Sequence, residues 1–209
     1  MAAVRSRLVT AISNSDNPKK EIQVKELKDY SGEFRPSIRY EDLSKEVLAK
    51  LLKVYCQEML LLDWYWYTKI SEKLGEDEAF KVSADNWCQI GDPEMRWTME
   101  ALNIKGNDVA AYAKTIQFVP SFAQDVYKYE WDLKNNDLGV LTVYDCPALT
   151  RLEQQNPEKI PDVCQWLELE AMKKYAKVVN PAIQIRALKT PPRQSRDEIA
   201  CQWEFSIEK

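Results

Sequence analysis

The spacing of hydrophobic residues along this 209-residue chain changes close to residue 126. Before that point, apolar side chains recur every three or four positions, which is the period of an α-helix. After it comes a run in which Tyr127, Tyr129, Trp131 and Leu133 alternate with Lys128, Glu130 and Asp132. Such alternation is typical of a half-buried strand. Because helices precede the strands and no βαβ alternation occurs, the sequence predicts an α+β protein with an antiparallel sheet.

The longest predicted helix lies in the first half of the chain. Asp42 or Ser44 can cap its start, and it runs to about Leu74, where Gly75 supplies the left-handed residue that ends many helices. Residues 59–67 are apolar on nearly every side of this helix. A helix that is hydrophobic all round is normally buried, so its middle is expected to be covered on every side.

Two more helices are predicted before the strands. Asp77 can cap the first of them, and Gly91-Asp92-Pro93 is expected to break or kink it, because proline lacks the backbone N–H that a helix interior needs. Asn107 can cap the second, which Pro120 ends.

The last part of the chain follows the order hairpin, helix, hairpin. Its predicted elements are strands at 127–133 and 140–144, helices at 147–155 and 161–179, and strands at 183–188 and 199–207. We expect an N-terminal helical layer packed on a C-terminal antiparallel sheet of two hairpins with an intervening helix. Residues 1–40 are interpreted as an N-terminal arm. Residues 41–209 are interpreted as a single α+β domain, with a helical part (41–120) and a hairpin–helix–hairpin part (121–209).

The composition excludes several classes of function. The chain has no histidine, which excludes Ser-His-Asp triads, HExxH metal sites and histidine pH switches. The net charge is −4 and the basic residues are dispersed, so we expect no nucleic-acid partner and no membrane partner. The longest apolar run is far shorter than the roughly 20 residues of a membrane span. Five cysteines without a CxxC pair favour a reducing, cytoplasmic location.

Three cysteines in the second half are candidate site residues. Cys146 is predicted at the N-terminus of a helix, where free backbone N–H groups and the helix dipole favour a reactive thiolate. Cys164 lies in the first turns of the next helix, and Cys201 lies on the apolar face of the last strand. If that strand pairs beside the one that ends at Cys146, the three thiols converge. Cys146 is then the candidate nucleophile, and the other two are ligand contacts. Two alternatives stay open, namely three unrelated buried cysteines or a Cys₃ site for zinc or iron.

Asp63 is the second candidate catalytic group. It lies inside the apolar stretch of the long helix, where a carboxyl is costly unless it is hydrogen-bonded, paired or protonated. Trp66, Tyr67 and Trp87 are predicted to form the walls of a ligand pocket around it. The alternative is a structural aspartate that accepts a hydrogen bond from a buried Trp or Tyr. In the loop before the last strand, Arg193 is predicted to close over a ligand, unless that loop is simply solvated.

Several segments carry a resemblance to known families. In the last third they are VYDCPAL (143–149), PDVCQWLE (161–168), NPAIQIRALKTPPR (180–193) and DEIACQWEF (197–205). With LLDWYWY (61–67), DNWC (85–88) and ALNIKGNDV (101–109), they resemble a prokaryotic family of uncharacterised cytosolic proteins. The layout of residues 124–207 is also similar to that of L-2-amino-thiazoline-4-carboxylate hydrolase-like proteins and, more distantly, of vinyl-4-reductase ligand-binding domains.

The resemblance implies a cytosolic α+β protein with a small-molecule pocket and thiol-dependent hydrolysis of a C–N bond in a small ring. Without histidine, the base would be Asp63, Glu168, a thiolate or water. We therefore expect a small-molecule-binding protein that is hydrolase-like if it is an enzyme. We expect no cofactor, and homodimerisation stays open. The alternatives are a metal-thiolate protein, with zinc or iron on the three cysteines in a structural or redox role, and a non-catalytic ligand-binding accessory module.

Overall fold

A computed structural model describes residues 26–208 of the chain. Its helices are α1 (Lys45–Leu74), α2 (Glu76–Ala101), α3 (Val109–Ile116), α4 (Pro147–Gln155) and α5 (Glu168–Val179). Its strands are β1 (Lys128–Asn135), β2 (Leu138–Asp145), β3 (Gln184–Lys189) and β4 (Cys201–Ser206). The α+β prediction is confirmed, with a helical N-terminal region followed by an antiparallel sheet. Of the predicted arm, residues 1–25 lie outside the described residues.

The chain divides into two compact units, one that ends at Leu48 and one that begins at Ala49. In the described part of the first unit, Leu27 forms an isolated parallel bridge with Leu43. The Leu27 N–H donates to the Asp42 carbonyl at 2.8 Å, and the Ser44 N–H donates to the Leu27 carbonyl at 2.9 Å. These bonds tie the segment around Leu27 to the residues just before α1.

The predicted ends of α1 are confirmed. The Ser44 hydroxyl accepts from the Val47 N–H at 3.4 Å, which satisfies one of the free donors of the first turn. The helix ends at Leu74, and Gly75 follows with a φ of +91°, a conformation that only glycine adopts without strain. Gly75 also precedes the first residue of α2, so Asp77 does not cap that helix as expected.

Of the break or kink predicted at Gly91-Asp92-Pro93, the break does not occur. Pro93 lies inside a helix that continues from Glu76 to Ala101. Tertiary contacts on both sides of the proline compensate for the backbone hydrogen bond that it removes. Gly91 lies directly against the Tyr175 ring of α5, and the buried Glu94 carboxylate accepts the Tyr175 hydroxyl at 2.6 Å. Packing against α5 thus keeps α2 helical through a sequence that alone predicts a break.

The third helix is short and almost fully buried. Its cap is Asp108 and not Asn107, because the Asp108 carboxylate accepts from the Ala111 N–H at 2.7 Å. Tyr112 on this helix stacks on Phe205 of β4, with ring centroids 5.0 Å apart. Both rings are nearly inaccessible and belong to the core between the helices and the sheet.

The four strands form one sheet in the order β1-β2-β4-β3, and every neighbouring pair is antiparallel. The final strand therefore lies beside β2, with Cys201 opposite Val143 and Trp203 opposite Leu141. Trp203 and Phe205 are buried, as the alternation in this strand predicts. This register brings Cys201 close to the end of β2, where Cys146 follows.

The predicted helix over 161–179 has two parts. A π-helical segment, Asp162–Leu167, precedes α5, which begins at Glu168. A π-helical turn is wider than an α-helical one and is often found at functional sites. The sequence period does not reveal it, because the segment is a single turn long.

Candidate functional site

A cavity of about 610 Å³ lies among the helices and the sheet, and all of its lining residues belong to the unit that begins at Ala49. Its wall comprises side chains from α1, α2, α3, β2, α4, the π-helical segment, α5 and β4. The aromatic residues on the wall include Trp64, Tyr67, Phe80, Trp87, Tyr112, Phe122, Tyr127 and Trp203. The volume falls within the range of small-molecule sites.

The three predicted cysteines all line this cavity. Cys146 follows β2 and caps α4, where its sulfur accepts from the Leu149 N–H at 3.4 Å. Cys164 lies in the π-helical segment, and Cys201 begins β4. The charges of these thiols influence one another's pKa values, so the three groups are neighbours. The structure thus brings together sulfur atoms that are 18 and 37 residues apart in sequence.

The expected activation of Cys146 is contradicted by its surroundings. Burial raises its pKa to about 12, although hydrogen bonds from the Leu149 and Ala148 backbone act in the opposite direction. Burial likewise raises the pKa of Cys201 to about 12 and raises that of Cys164. A helix N-terminus contributes about 1 kcal/mol or less, whereas enclosure by protein shifts a pKa by up to several units. The three thiols are therefore protonated at neutral pH.

Glu168 completes this cluster. It is the first residue of α5 and lines the cavity, and its negative charge contributes to the raised pKa of all three thiols. Glu168 is an exposed residue on the wall of an open cavity, and it is surrounded by many protein atoms. Burial raises the pKa of Glu168 to about 7. From the sequence this residue is only one of several possible bases. Its spacing of four from Cys164 places both on one helix face, which is the signal that points to it.

The aromatic wall around Asp63 differs from the predicted one by one side chain. Asp63, Tyr67 and Trp87 line the cavity as expected, and burial raises the pKa of Asp63, against a hydrogen bond with the Trp87 side chain. Trp66 lies elsewhere and is 63% exposed. Trp64 takes its place, stacked on Tyr67 with ring centroids 5.9 Å apart. Residues two positions apart on an α-helix are separated by about 200° around its axis, so Trp64 and Trp66 cannot share a face.

Arg193 does not line the cavity. Its guanidinium grips the Glu153 carboxylate on α4 with two hydrogen bonds of 2.8 and 3.0 Å, and its side chain is only 3% exposed. The bidentate grip expected for a ligand carboxylate is thus used within the protein. Nearby, Pro191 lines the cavity, and its carbonyl accepts from the Gln165 side chain at 2.9 Å. Arg193 and Gln165 together attach the loop after β3 to the helices.

A second polar cluster on the cavity wall was missed by sequence reasoning. Glu94 of α2 is buried and accepts three hydrogen bonds, from the Ser121 N–H (2.8 Å), the Ser121 hydroxyl (2.7 Å) and the Tyr175 hydroxyl (2.6 Å). Ser121 and Tyr175 line the cavity. Because both carboxylate oxygens accept from groups within the protein, this cluster fixes the wall. No local pattern marks Glu94, since its partners lie 27 and 81 residues away.

The metal alternative depends on how closely the sulfur atoms approach. Among residues 26–208, no group of three or more His, Cys, Asp or Glu side chains is arranged so that it could hold a metal ion. The donor types present, thiols and a carboxyl, would suit zinc.

A protein-family model described as a family of unknown function (DUF6125) matches residues 41–207. Since the match covers most of the chain, the protein belongs to this family. Comparison with curated proteins and with solved structures gives no match. No helix in the described part of the chain is long and apolar enough to cross a membrane.

Proposed function

We propose that this member of the family binds a small, largely apolar molecule with a positively charged nitrogen in the cavity. The observation that carries the proposal is the position of Glu168, a carboxyl with a raised pKa on the wall of a ring-lined cavity. Burial shifts its pKa upward because its negative charge is poorly compensated there. A ligand cation would supply the missing compensation.

The basic residues on the cavity wall support this choice of ligand, because both already have partners. The Arg151 guanidinium lies over the Trp64 ring, 4.4 Å from its centroid. The Lys159 amine lies 3.3 Å from Asp77 and 3.5 Å from Asp162. The aromatic walls add a further attraction, since ring faces bind cations in partly desolvated sites. Asp63 offers a second carboxyl, half-buried, on the same wall.

The proposal can be tested with simple probes at pH 8, where the Glu168 carboxylate is mostly ionised. We expect 2-phenylethylamine to raise the Tm more than 2-phenylethanol, which has the same ring and no charge. Glu168→Gln should remove this difference. Glu170→Gln is the matched control, because Glu170 lies on the same helix and pairs with Lys173 at 2.8 Å. Equal effects of amine and alcohol on the wild-type protein would contradict the proposed ligand chemistry.

Thiol-dependent hydrolysis of a C–N bond is the second candidate, and the shared position of Cys146 and Glu168 on the cavity wall favours it. In such a reaction, the Cys146 sulfur would attack the carbon of the C–N bond while its proton passes to Glu168. The C–N bond would then break as Glu168 returns the proton to the leaving nitrogen, and water would hydrolyse the C–S bond and restore the thiol. A bound cation would favour this step, because positive charge lowers a thiol's pKa. Cys146→Ser separates the two functions, since serine keeps the helix cap. Retained binding with lost turnover supports an enzyme, whereas unchanged turnover excludes this nucleophile.

The metal-thiolate alternative requires the same three cysteines to bind a metal ion. Elemental analysis of protein purified without chelators would give about one zinc or iron per chain if Cys146, Cys164 and Cys201 bind metal. Loss of that metal in Cys164→Ser would assign the site and contradict the proposal that Glu168 faces a ligand cation. The free state of all five cysteines fits the cytoplasmic location that we propose from the sequence.

A further inference from the structure

In the described part of the chain, four tyrosines line the cavity, namely Tyr67, Tyr112, Tyr127 and Tyr175. The protein itself uses two of their hydroxyls. The Tyr175 hydroxyl donates to Glu94 at 2.6 Å, and the Tyr67 hydroxyl donates to Glu76 at 2.8 Å. Tyr67 lies on α1, which has no buried residue, so the expectation that the middle of this helix is covered on every side is wrong.

The other two tyrosine hydroxyls are unpaired. Among residues 26–208, neither the Tyr112 hydroxyl nor the Tyr127 hydroxyl has a hydrogen-bond partner. Both side chains are buried, with 1% and 8% of their surface exposed. Neither hydroxyl is fully enclosed by protein, so each keeps a small accessible surface toward the cavity that its residue lines. A buried hydroxyl without a partner is costly, and phenylalanine would fill the same space without that cost. These hydroxyls therefore indicate a ligand group.

Packing fixes the positions of the two rings. Tyr112 lies on α3 and stacks on Phe205, with ring centroids 5.0 Å apart. Tyr127 directly precedes β1, and its ring packs on that of Phe122 at a centroid distance of 4.8 Å. The negative charge of Glu168 contributes to the raised pKa of both tyrosines, so both lie near this carboxyl. Two preorganised O–H donors thus face the cavity in the neighbourhood of Glu168.

We propose that Tyr112 and Tyr127 donate hydrogen bonds to an uncharged carbonyl oxygen of the ligand, so that the ligand is an amine that also carries a carbonyl group. This inference rests on the proposed function, because it concerns the same cavity and the same ligand. An oxygen of this kind has two lone pairs and can accept both bonds. The proton of each hydroxyl needs an acceptor, and in the described part of the chain none is provided.

The charges around the cavity favour an uncharged oxygen over a carboxylate. The negative charges of Glu168 and Asp63 both act on Tyr127, and they would repel a ligand carboxylate at this place. The basic side chains of Arg151 and Lys159 on the cavity wall already have partners. Burial raises the pKa of both tyrosines, so their hydroxyls remain protonated donors at neutral and mildly basic pH.

Isothermal titration calorimetry at pH 8 tests the carbonyl preference with matched amines. The 3-acetyl and 4-acetyl derivatives of 2-phenylethylamine carry a ketone oxygen, and the corresponding ethyl derivatives have nearly the same size without it. We expect at least one acetyl derivative to bind the wild-type protein about tenfold more tightly than its ethyl counterpart, since each hydrogen bond in a buried site contributes about this factor. Equal or weaker binding of both acetyl derivatives would overturn the proposal.

Two conservative variants assign the donors. Tyr112→Phe and Tyr127→Phe keep the ring, so each should lose most of the acetyl preference while the ethyl derivative binds within about twofold of its wild-type affinity. That retained binding also shows that the variant is folded. Tyr144→Phe is the matched control, because Tyr144 is exposed on β2 and its hydroxyl donates to Glu130 at 3.0 Å. An acetyl preference that survives in both variants would overturn the assignment.

Failure of this proposal can be distinguished from failure of the proposed function. If the protein prefers 2-phenylethylamine over 2-phenylethanol but binds acetyl and ethyl derivatives equally, only the carbonyl contact is overturned. If it shows no preference for the amine, both proposals fail.

Discussion

Two opposing effects act on the sulfur of Cys146, and their magnitudes decide its chemistry. The sequence predicts the helix-capping position, and the hydrogen bond from the Leu149 N–H confirms it. A helix terminus favours a thiolate by about 1 kcal/mol or less, which is under one pKa unit. Enclosure by protein outweighs that contribution and raises the pKa to about 12. A local motif therefore predicts the place of this thiol and not its ionisation.

Alkylation rates test whether enclosure suppresses the reactivity of the Cys146 thiol. With iodoacetamide at pH 7, we expect Cys146 to react at least about tenfold more slowly than Cys88, since only the thiolate is nucleophilic. Burial also raises the pKa of Cys88, but that residue is less enclosed. Peptide mapping by mass spectrometry gives the five rates in one experiment. Unfolding in urea should make them equal. Faster labelling of Cys146 than of Cys88 in folded protein would support the hypothesis that Cys146 is an activated thiol.

The sequence predicts some residues of the cavity wall correctly and misplaces or underrates others. Asp63 and Tyr67 line the cavity as predicted, because residues four apart on α1 share a face, and Trp87 joins them from α2. The sequence predicts Trp66 on the cavity wall where the structure has Trp64, because both faces of α1 are apolar and the sequence alone does not distinguish the face toward the core. Glu168 stayed one base among several, because its importance comes from enclosure that only the folded chain creates.

At the scale of secondary structure, the continuity of α2 shows how packing overrides a local signal. Gly91 and Pro93 both disfavour a helix interior, and together they predict a break. The Gly91 backbone instead allows the Tyr175 ring to approach, and Tyr175 donates to Glu94 one turn further along. The glycine that suggests a break is therefore required by the contact between α2 and α5.

Substitution of this glycine tests the interpretation. A Cβ atom at position 91 would lie 2.7 Å from the Tyr175 Cδ2 and Cε2 atoms. Although alanine favours helix formation, we expect Gly91→Ala to destabilise the protein by about 1–3 kcal/mol through overpacking. Gly32→Ala is the control, since a Cβ there meets no atom within 4 Å. Urea unfolding of both variants measures the effect. A stabilised Gly91→Ala would mean that helix propensity dominates.

At the scale of the whole molecule, the change of hydrophobic period was sufficient to predict the α+β class and the antiparallel sheet. The cavity could not be predicted in the same way. Its wall combines residues from α1 to β4, and its volume depends on how side chains distant in sequence fill the space between layers. The sequence predicts that the thiols converge only if β4 pairs with β2. The register of the sheet confirms this pairing.

The stability of the whole protein should depend on the ionisation of Glu168. Its pKa is raised from 4.5 in the unfolded chain to about 7 by burial, so the native state holds this proton more tightly. The stabilisation is fully present below about pH 4.5 and is lost as the pH rises through about 7. Water in the cavity screens the carboxyl, so we expect a loss of about 1 kcal/mol, or about 2–4 °C in Tm.

Calorimetry between pH 5 and pH 8 measures this contribution. The Tm of the wild-type protein should fall relative to that of Glu168→Gln, which has no group that titrates at this position. Glu170→Gln should keep the wild-type dependence. Parallel curves for the wild-type protein and Glu168→Gln would show that the carboxyl is not enclosed as described.

The π-helical segment has a consequence for how the family can vary. Removal of one residue from Asp162–Leu167 would tighten the wide turn into ordinary α-helix and rotate the chain before the deletion by about 100° relative to α5. Cys164 and Glu168 would stay on one face, because residues three or four apart on an α-helix are neighbours. Lys159, which lines the cavity from just before the segment, would change its direction relative to Glu168. The number of residues in this segment, more than their identity, therefore sets how the chain from α4 meets α5 at the cavity.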